Sequence, residues 1–261
     1  MSPKNNMNKS LVSAIASYGK IYRKKYISDY NTGSLSVNWW AALDFFFSRA
    51  CFQGRLDVVS QRVYEAVLEV LTPEFAKRER TANYRELSQQ NWKPIEKELS
   101  KRIGKGKVGK ARDVDMVLSA LRFIGQIPNL NIVGYSVEQI RLGKIEKHYE
   151  ELQPSRSDKG ITQVGPKIAA LYLRDLISLY HLEDNVPLTF AFCLQPIDVW
   201  VEKLAHKLKI VGPNANHLDI QRAIVKLCQE QGVSHLLFNQ GAWYVGYNSY
   251  DIVLELLGKQ G

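Results

Sequence analysis

Two ionisable side chains stand where their neighbours give each a chemical use. The first is Lys167, in the stretch ITQVGPKIAALYLRDL from Ile161 to Leu176. A turn-like core, Gln163-Val164-Gly165-Pro166, runs straight into an apolar helical pattern. Such a turn exposes backbone N–H groups that lack helical partners. Together with the helix dipole these can hold a phosphate oxygen. Gly165 removes the Cβ that would keep a phosphate backbone at a distance. Gln163, Val164 and Gly165 are therefore the candidate DNA-phosphate contacts. Lys167 lies in the first helical turn, where the positive end of the dipole disfavours an ammonium. A free amine there is a nucleophile suited to imine chemistry. An ordinary lysine on a phosphate-facing surface fits the turn equally well.

The second is Asp198, in Pro196-Ile197-Asp198. The proline fixes the approach of the chain, and the aspartate opens a helix as its N-cap. Most such aspartates only cap. A carboxylate anchored in this way can also stabilise a cationic sugar and steer a proton.

Bulk composition narrows the partners. The chain has 261 residues, is 45% hydrophobic and carries a formal charge of +9. That is enough apolar material for one large domain or two packed ones. The positive balance favours a polyanion, with nucleic acid ahead of an acidic membrane because no strongly basic amphipathic helix stands out. Cys51, Cys193 and Cys228 are few and far apart, which points to a reducing compartment without a disulfide framework. Three thiols also exclude an all-cysteine iron–sulfur cluster. The five histidines form no close pair of zinc-ligand spacing, so no metal site is expected. The absence of an apolar run of membrane-spanning length and of a signal-peptide pattern leads to the expectation of a cytoplasmic or nucleoid-associated protein.

The elements that must position the two residues are helices, so the expected fold is mostly α. Helical patterns run over Val37–Phe52 and Leu56–Leu71, with a restart at Thr72-Pro73-Glu74, where threonine reads as N-cap and proline as first helical residue. Others run from about Tyr84 to Arg102 and from Val114 to Ile124. Between these, the glycine- and lysine-rich KRIGKGKVGKARD reads as a solvated loop more readily than as a phosphate-contacting one, and it lacks the P-loop spacing. Ser136-Val137-Glu138-Gln139 reads as a capping box opening a helix to about Leu152. Beyond Asp198, helices are expected over Asn214–Gly232 and Ser234–Leu257, and Leu188–Leu194 is the best short strand candidate.

Taken together, the turn and the aspartate segment resemble the helix–hairpin–helix DNA glycosylases. That family's signature is a Gly-hydrophobic-Gly hairpin, a helix, and a downstream Pro-hydrophobic-Asp. Val164-Gly165-Pro166-Lys167-Ile168-Ala169 is similar to the second half of the hairpin and the start of its helix, and Gln195 to Val201 is similar to the aspartate segment. The resemblance covers roughly Ser136 to Leu208. It departs from the pattern in one contact, since Gln163 stands where the first glycine would be. The long Lys167-to-Asp198 interval and the lack of cluster cysteines are more like the archaeal-type 8-oxoguanine glycosylases than endonuclease III.

The resemblance implies two helical lobes with an active-site cleft between them: a terminal lobe of about 1–80 plus 205–261, and a central lobe of 81–204 carrying the hairpin at about 144–180. It implies a bifunctional glycosylase and abasic-site lyase acting on double-stranded DNA with a damaged base, as a monomer. Lys167 would form the Schiff base and Asp198 would stabilise the sugar. Leu171, Trp243 and Asn239 would line the base pocket, with Trp243 also readable as a core residue. No iron–sulfur cluster is implied; a monovalent cation held by the hairpin carbonyls is. Two alternatives stay open: a helix–hairpin–helix protein that binds DNA without catalysis, and a helical RNA-binding or scaffold protein.

Overall fold

The computed structural model describes residues 3–53, 55–78, 92–104, 107–154 and 160–258. Among them are twelve α-helices, three short 3₁₀ segments and no strand. The chain divides into two compact units: Asn31–Leu176, and Met1–Tyr30 together with Ile177–Gly261.

In the central unit, α2 (Thr32–Val37) and α3 (Trp39–Ala50) precede α4 (Asp57–Arg78). Asn31 and Asn38 cap the first two by accepting the amides of Ser34 and Ala41 at 2.9 and 2.7 Å. The break between them lies inside the apolar run that reads as beginning one helix at Val37. α4 runs on past the expected restart at Thr72. Instead of capping a new helix, Thr72 returns its hydroxyl to the Leu68 carbonyl at 2.7 Å. Pro73 therefore sits within the helix, where its missing N–H leaves the Glu69 carbonyl without its usual donor.

α5 (Lys93–Arg102), α6 (Ala111–Ile124), α7 (Ile132–Arg141), α8 (Ile145–Leu152) and α9 (Pro166–Tyr180) follow. The expected start of a helix near Tyr84 lies outside the described residues. The loop between α5 and α6 ends on a buried anchor: Asp113 accepts the Lys110 amide and the Arg55 guanidinium, both at 2.7 Å. The expected capping box at Ser136 is not one. Asn131 caps α7, accepting the Gly134 amide at 2.6 Å, and Ser136 lies in the middle of that helix. The helix stops at Arg141, and Gly143 at φ 68° turns the chain into α8. α9 is buried nearly all round: Ile168, Ala169, Ala170, Leu173 and Leu176 are at most 4% exposed, and Tyr172 packs edge-on against Phe45 and Phe46.

In the terminal unit, α1 (Pro3–Tyr26) packs against α12 (His235–Gly258), which kinks at Ser249. Two glycines allow the two backbones to touch. A methyl group on Gly19 would run into the Leu237 carbonyl, and one on Gly241 into the Ile15 carbonyl. α10 (Val199–Lys207) and α11 (His217–Gln231) complete a core built from Val12, Ile15, Val201, Leu204, Ile224 and Phe238. The strand expected at Leu188–Leu194 is a 3₁₀ segment. Its apolar residues are too few to show a period that separates strand from helix. All three cysteines are buried. Burial pushes the Cys51 thiol up and raises that of Cys228 to about 12.

Candidate functional site

The turn before α9 is built from its apolar ends. Ile161 and Val164 are fully buried, and the Val164 amide donates to the Ile161 carbonyl at 3.0 Å. Thr162 and Gln163 form the corner. Gln163 takes φ 68°, the left-handed conformation that favours glycine. This is the position at which the sequence lacks a glycine. The corner is held from two sides: Ser119 Oγ accepts the Thr162 amide at 2.9 Å, and Gln53 Nε2 donates to the Gln163 carbonyl at 3.5 Å.

Gly165 then starts the helix. Its carbonyl accepts the amides of Ile168 and Ala169, both at 3.0 Å. The N–H groups of Gly165 and Lys167 stay outside the helical ladder. A Cβ on Gly165 would meet nothing within 4 Å. The described residues therefore give no steric reason for glycine here. Lys167 is half-buried and makes no ion pair or side-chain hydrogen bond among the described residues. Leu171, one turn further, is also half-buried.

Asp198 caps α10, as its sequence position suggests. Its Oδ1 accepts the amides of Trp200 and Val201 at 3.0 and 2.9 Å, and Oδ2 makes no hydrogen bond among the described residues. The extended segment ahead of it is pinned by buried amides. Gln221 Nε2 donates to the Gln195 carbonyl at 2.8 Å, and Asn239 Nδ2 to the Pro196 carbonyl at 3.3 Å. Gln195 Nε2 lies 2.8 Å from His235 Nδ1. Burial lowers the His235 pKa, so the ring is held neutral and accepts at Nδ1.

The residues expected to line a base pocket fall in different settings. Asn239 is wholly buried and bonded to the Pro196 carbonyl, a position that serves the backbone leading to Asp198. Trp243 belongs to an aromatic cluster. Tyr247 lies flat against it, with centroids 5.0 Å apart and planes 6° apart, and Tyr22 and Tyr26 meet it edge-on. Lys167, Leu171 and the turn belong to the central unit; Asp198, Asn239 and Trp243 belong to the terminal unit.

Two groupings escaped the sequence reading. One is the tyrosine ladder of α1, Tyr18, Tyr22 and Tyr26, whose four-residue spacing was legible. The other joins α7, α8 and α9. His148 Nε2 lies 2.8 Å from Ser136 Oγ and its Nδ1 lies 3.2 Å from Glu151, while Ser136 Oγ lies 3.0 Å from the Tyr172 hydroxyl. These are the residue types of a nucleophilic triad. Ser136 is fully buried, His148 is 1% exposed, and the hydroxyl is bonded to the Ile132 carbonyl, so the arrangement ties helices together.

Among the described residues no helix is long and apolar enough to cross a membrane, and no group of three metal-ligating side chains occurs. No family model, curated protein or solved structure matches the chain.

Proposed function

We propose that the protein is a DNA glycosylase with abasic-site lyase activity, acting on an oxidised base, 8-oxoguanine in the first instance, in duplex DNA. The observation that carries this reading is the turn at Gln163 and Gly165. Gln163 adopts the left-handed conformation at the place where the hairpin signature has its first glycine. Gly165 has open space where its Cβ would be. A glycine that no contact among the described residues demands suits close approach by an outside backbone, and the amides of Gly165 and Lys167 can receive a phosphate oxygen.

In this reading the damaged nucleotide is turned out of the duplex. Asp198, anchored through Oδ1, keeps Oδ2 for the oxocarbenium-like sugar. The Lys167 amine attacks C1′, the glycosidic C–N bond breaks, and the base leaves with a proton. The imine so formed acidifies the C2′ proton. Its removal expels the 3′ phosphate by β-elimination and cuts the strand. A lysine at the first turn with no carboxylate on it among the described residues suits this role, because no described ion pair commits its amine.

Borohydride trapping tests the reading. The protein is incubated with a labelled duplex containing 8-oxoguanine, reduced, and run on a denaturing gel beside Lys167→Gln and Asp198→Asn. A covalent band that Lys167→Gln abolishes is expected. Absence of a band on this duplex and on one with an abasic site overturns the lyase step. Duplex binding without base release would then favour the non-catalytic DNA-binding reading.

A further inference from the structure

Among the described residues, the part of α1 and α12 around Tyr18–Tyr26 and Trp243–Tyr247 carries rings and cations. Residues 1–28 and 235–250 contain no aspartate or glutamate, and exposed Asp29 is the first acid after Lys25. Over this stretch Lys20, Lys24 and Lys25 are exposed. Lys25 holds its ammonium 5.2 Å from the Tyr26 ring centre and 6.0 Å from that of Tyr244. Tyr244 stacks with Tyr18 at 6.4 Å and 21°. Tyr247, 47% exposed, carries the stack from Trp243 out to the surface. The helix register produces this face: residues four apart on α1 share one side, and Gly19 and Gly241 bring α12 close enough for both sets of rings to merge.

We infer that this face binds single-stranded nucleic acid, with unpaired bases stacking on the surface tyrosines and phosphates running past Lys24 and Lys25. Charge selects the class of partner. A surface on which cations outnumber carboxylates attracts a polyanion and releases its counterions. The rings select the form. Flat aromatic faces reward a partner that offers unpaired π-faces along its length, and an intact duplex hides these in its stack. The inference goes beyond the proposed glycosylase chemistry and uses neither Lys167 nor Asp198.

The test is fluorescence anisotropy of a labelled oligothymidylate with the full-length chain. Wild type is expected to bind, with affinity falling as salt rises. Tyr247→Ala is expected to weaken binding by roughly tenfold with little change in salt slope. Lys24→Glu combined with Lys25→Glu, both exposed, is expected to reduce the magnitude of the salt slope by at least about 0.7 per lost contact. Absence of binding overturns the inference, as does binding that neither variant changes. So does displacement of the oligonucleotide by phosphatidylserine vesicles, which would make the face a membrane contact. The outcome is separate from trapping at Lys167, which is read on a damaged duplex: either result can fail alone.

Discussion

The Asn239 side-chain amide donates to the Pro196 carbonyl at 3.3 Å from a wholly buried position on α12. With Gln221 on the neighbouring carbonyl, it fixes the extended segment that delivers Asp198 to the start of α10. The carboxylate is thus set in place by residues 23 and 41 positions further along the chain.

Asn239→Leu keeps the volume and removes the donor. The Pro196 carbonyl is left buried and unpaired, at a cost of about 1–3 kcal/mol. Urea unfolding is expected to show that loss. Base release should fall towards the level of Asp198→Asn, with Lys167 untouched. Full activity with the expected loss of stability would confine Asn239 to a structural role.

The two residues of the turn separate stability from binding. Gly165→Ala has room for its methyl group, so the melting temperature should stay put while duplex affinity drops several-fold. Gln163→Gly works in the opposite sense. It relieves a left-handed conformation that costs an L-residue about 1–2 kcal/mol, against roughly 0.4–1 kcal/mol of added unfolded-state freedom. A net gain of about 0.5–1 kcal/mol is expected in denaturant melts.

Gly241→Ala should be far more damaging than any surface change. Its methyl group meets the Ile15 backbone, which cannot rotate aside as a side chain would. Overpacking of this kind costs about 3 kcal/mol or more. Thermal unfolding should show it, and Gly19→Ala should behave alike because it strikes the Leu237 carbonyl.

Acid should weaken the fold through His148 and His235, both of which burial holds below the usual histidine range. Below about pH 6.5 the unfolded chain takes up protons that the native rings refuse, so stability rises with pH in that window and falls on acidification. Each histidine contributes at most about 1.4 kcal/mol per pH unit. The loss stops once pH passes the lowered native values. Glu151 acts in a separate, lower window. Its pKa is depressed chiefly by the His148 hydrogen bond, so its contribution is lost below about pH 4.5. Melts at pH 7.5 and 5.5 with His148→Gln test the first window: the variant's pH dependence should be the shallower.

Much of this architecture could be read from the chain because local chemistry specifies it. The helical period, the Asp198 cap and the turn at Gly165 each depend on residues within one or two turns of each other. Ser136 misled because S-x-x-Q also fits the middle of a helix. Its hydroxyl goes to the Ile132 carbonyl and His148, and the latter contact exists only once α7 and α8 have folded together. Thr72-Pro73 misled for a related reason: a threonine can bond backwards within a helix as readily as it can cap the next one. The aromatic face was hidden by distance, since Tyr22 and Trp243 meet across most of the sequence.

The buried thiols give the molecule built-in reporters of its own opening. Cys51 lies in the central unit, and Cys193 and Cys228 in the terminal one. A thiol buried in a folded core does not react with an alkylating reagent until its surroundings part. The order in which the three sites take up label therefore registers which unit loosens first, without any added probe.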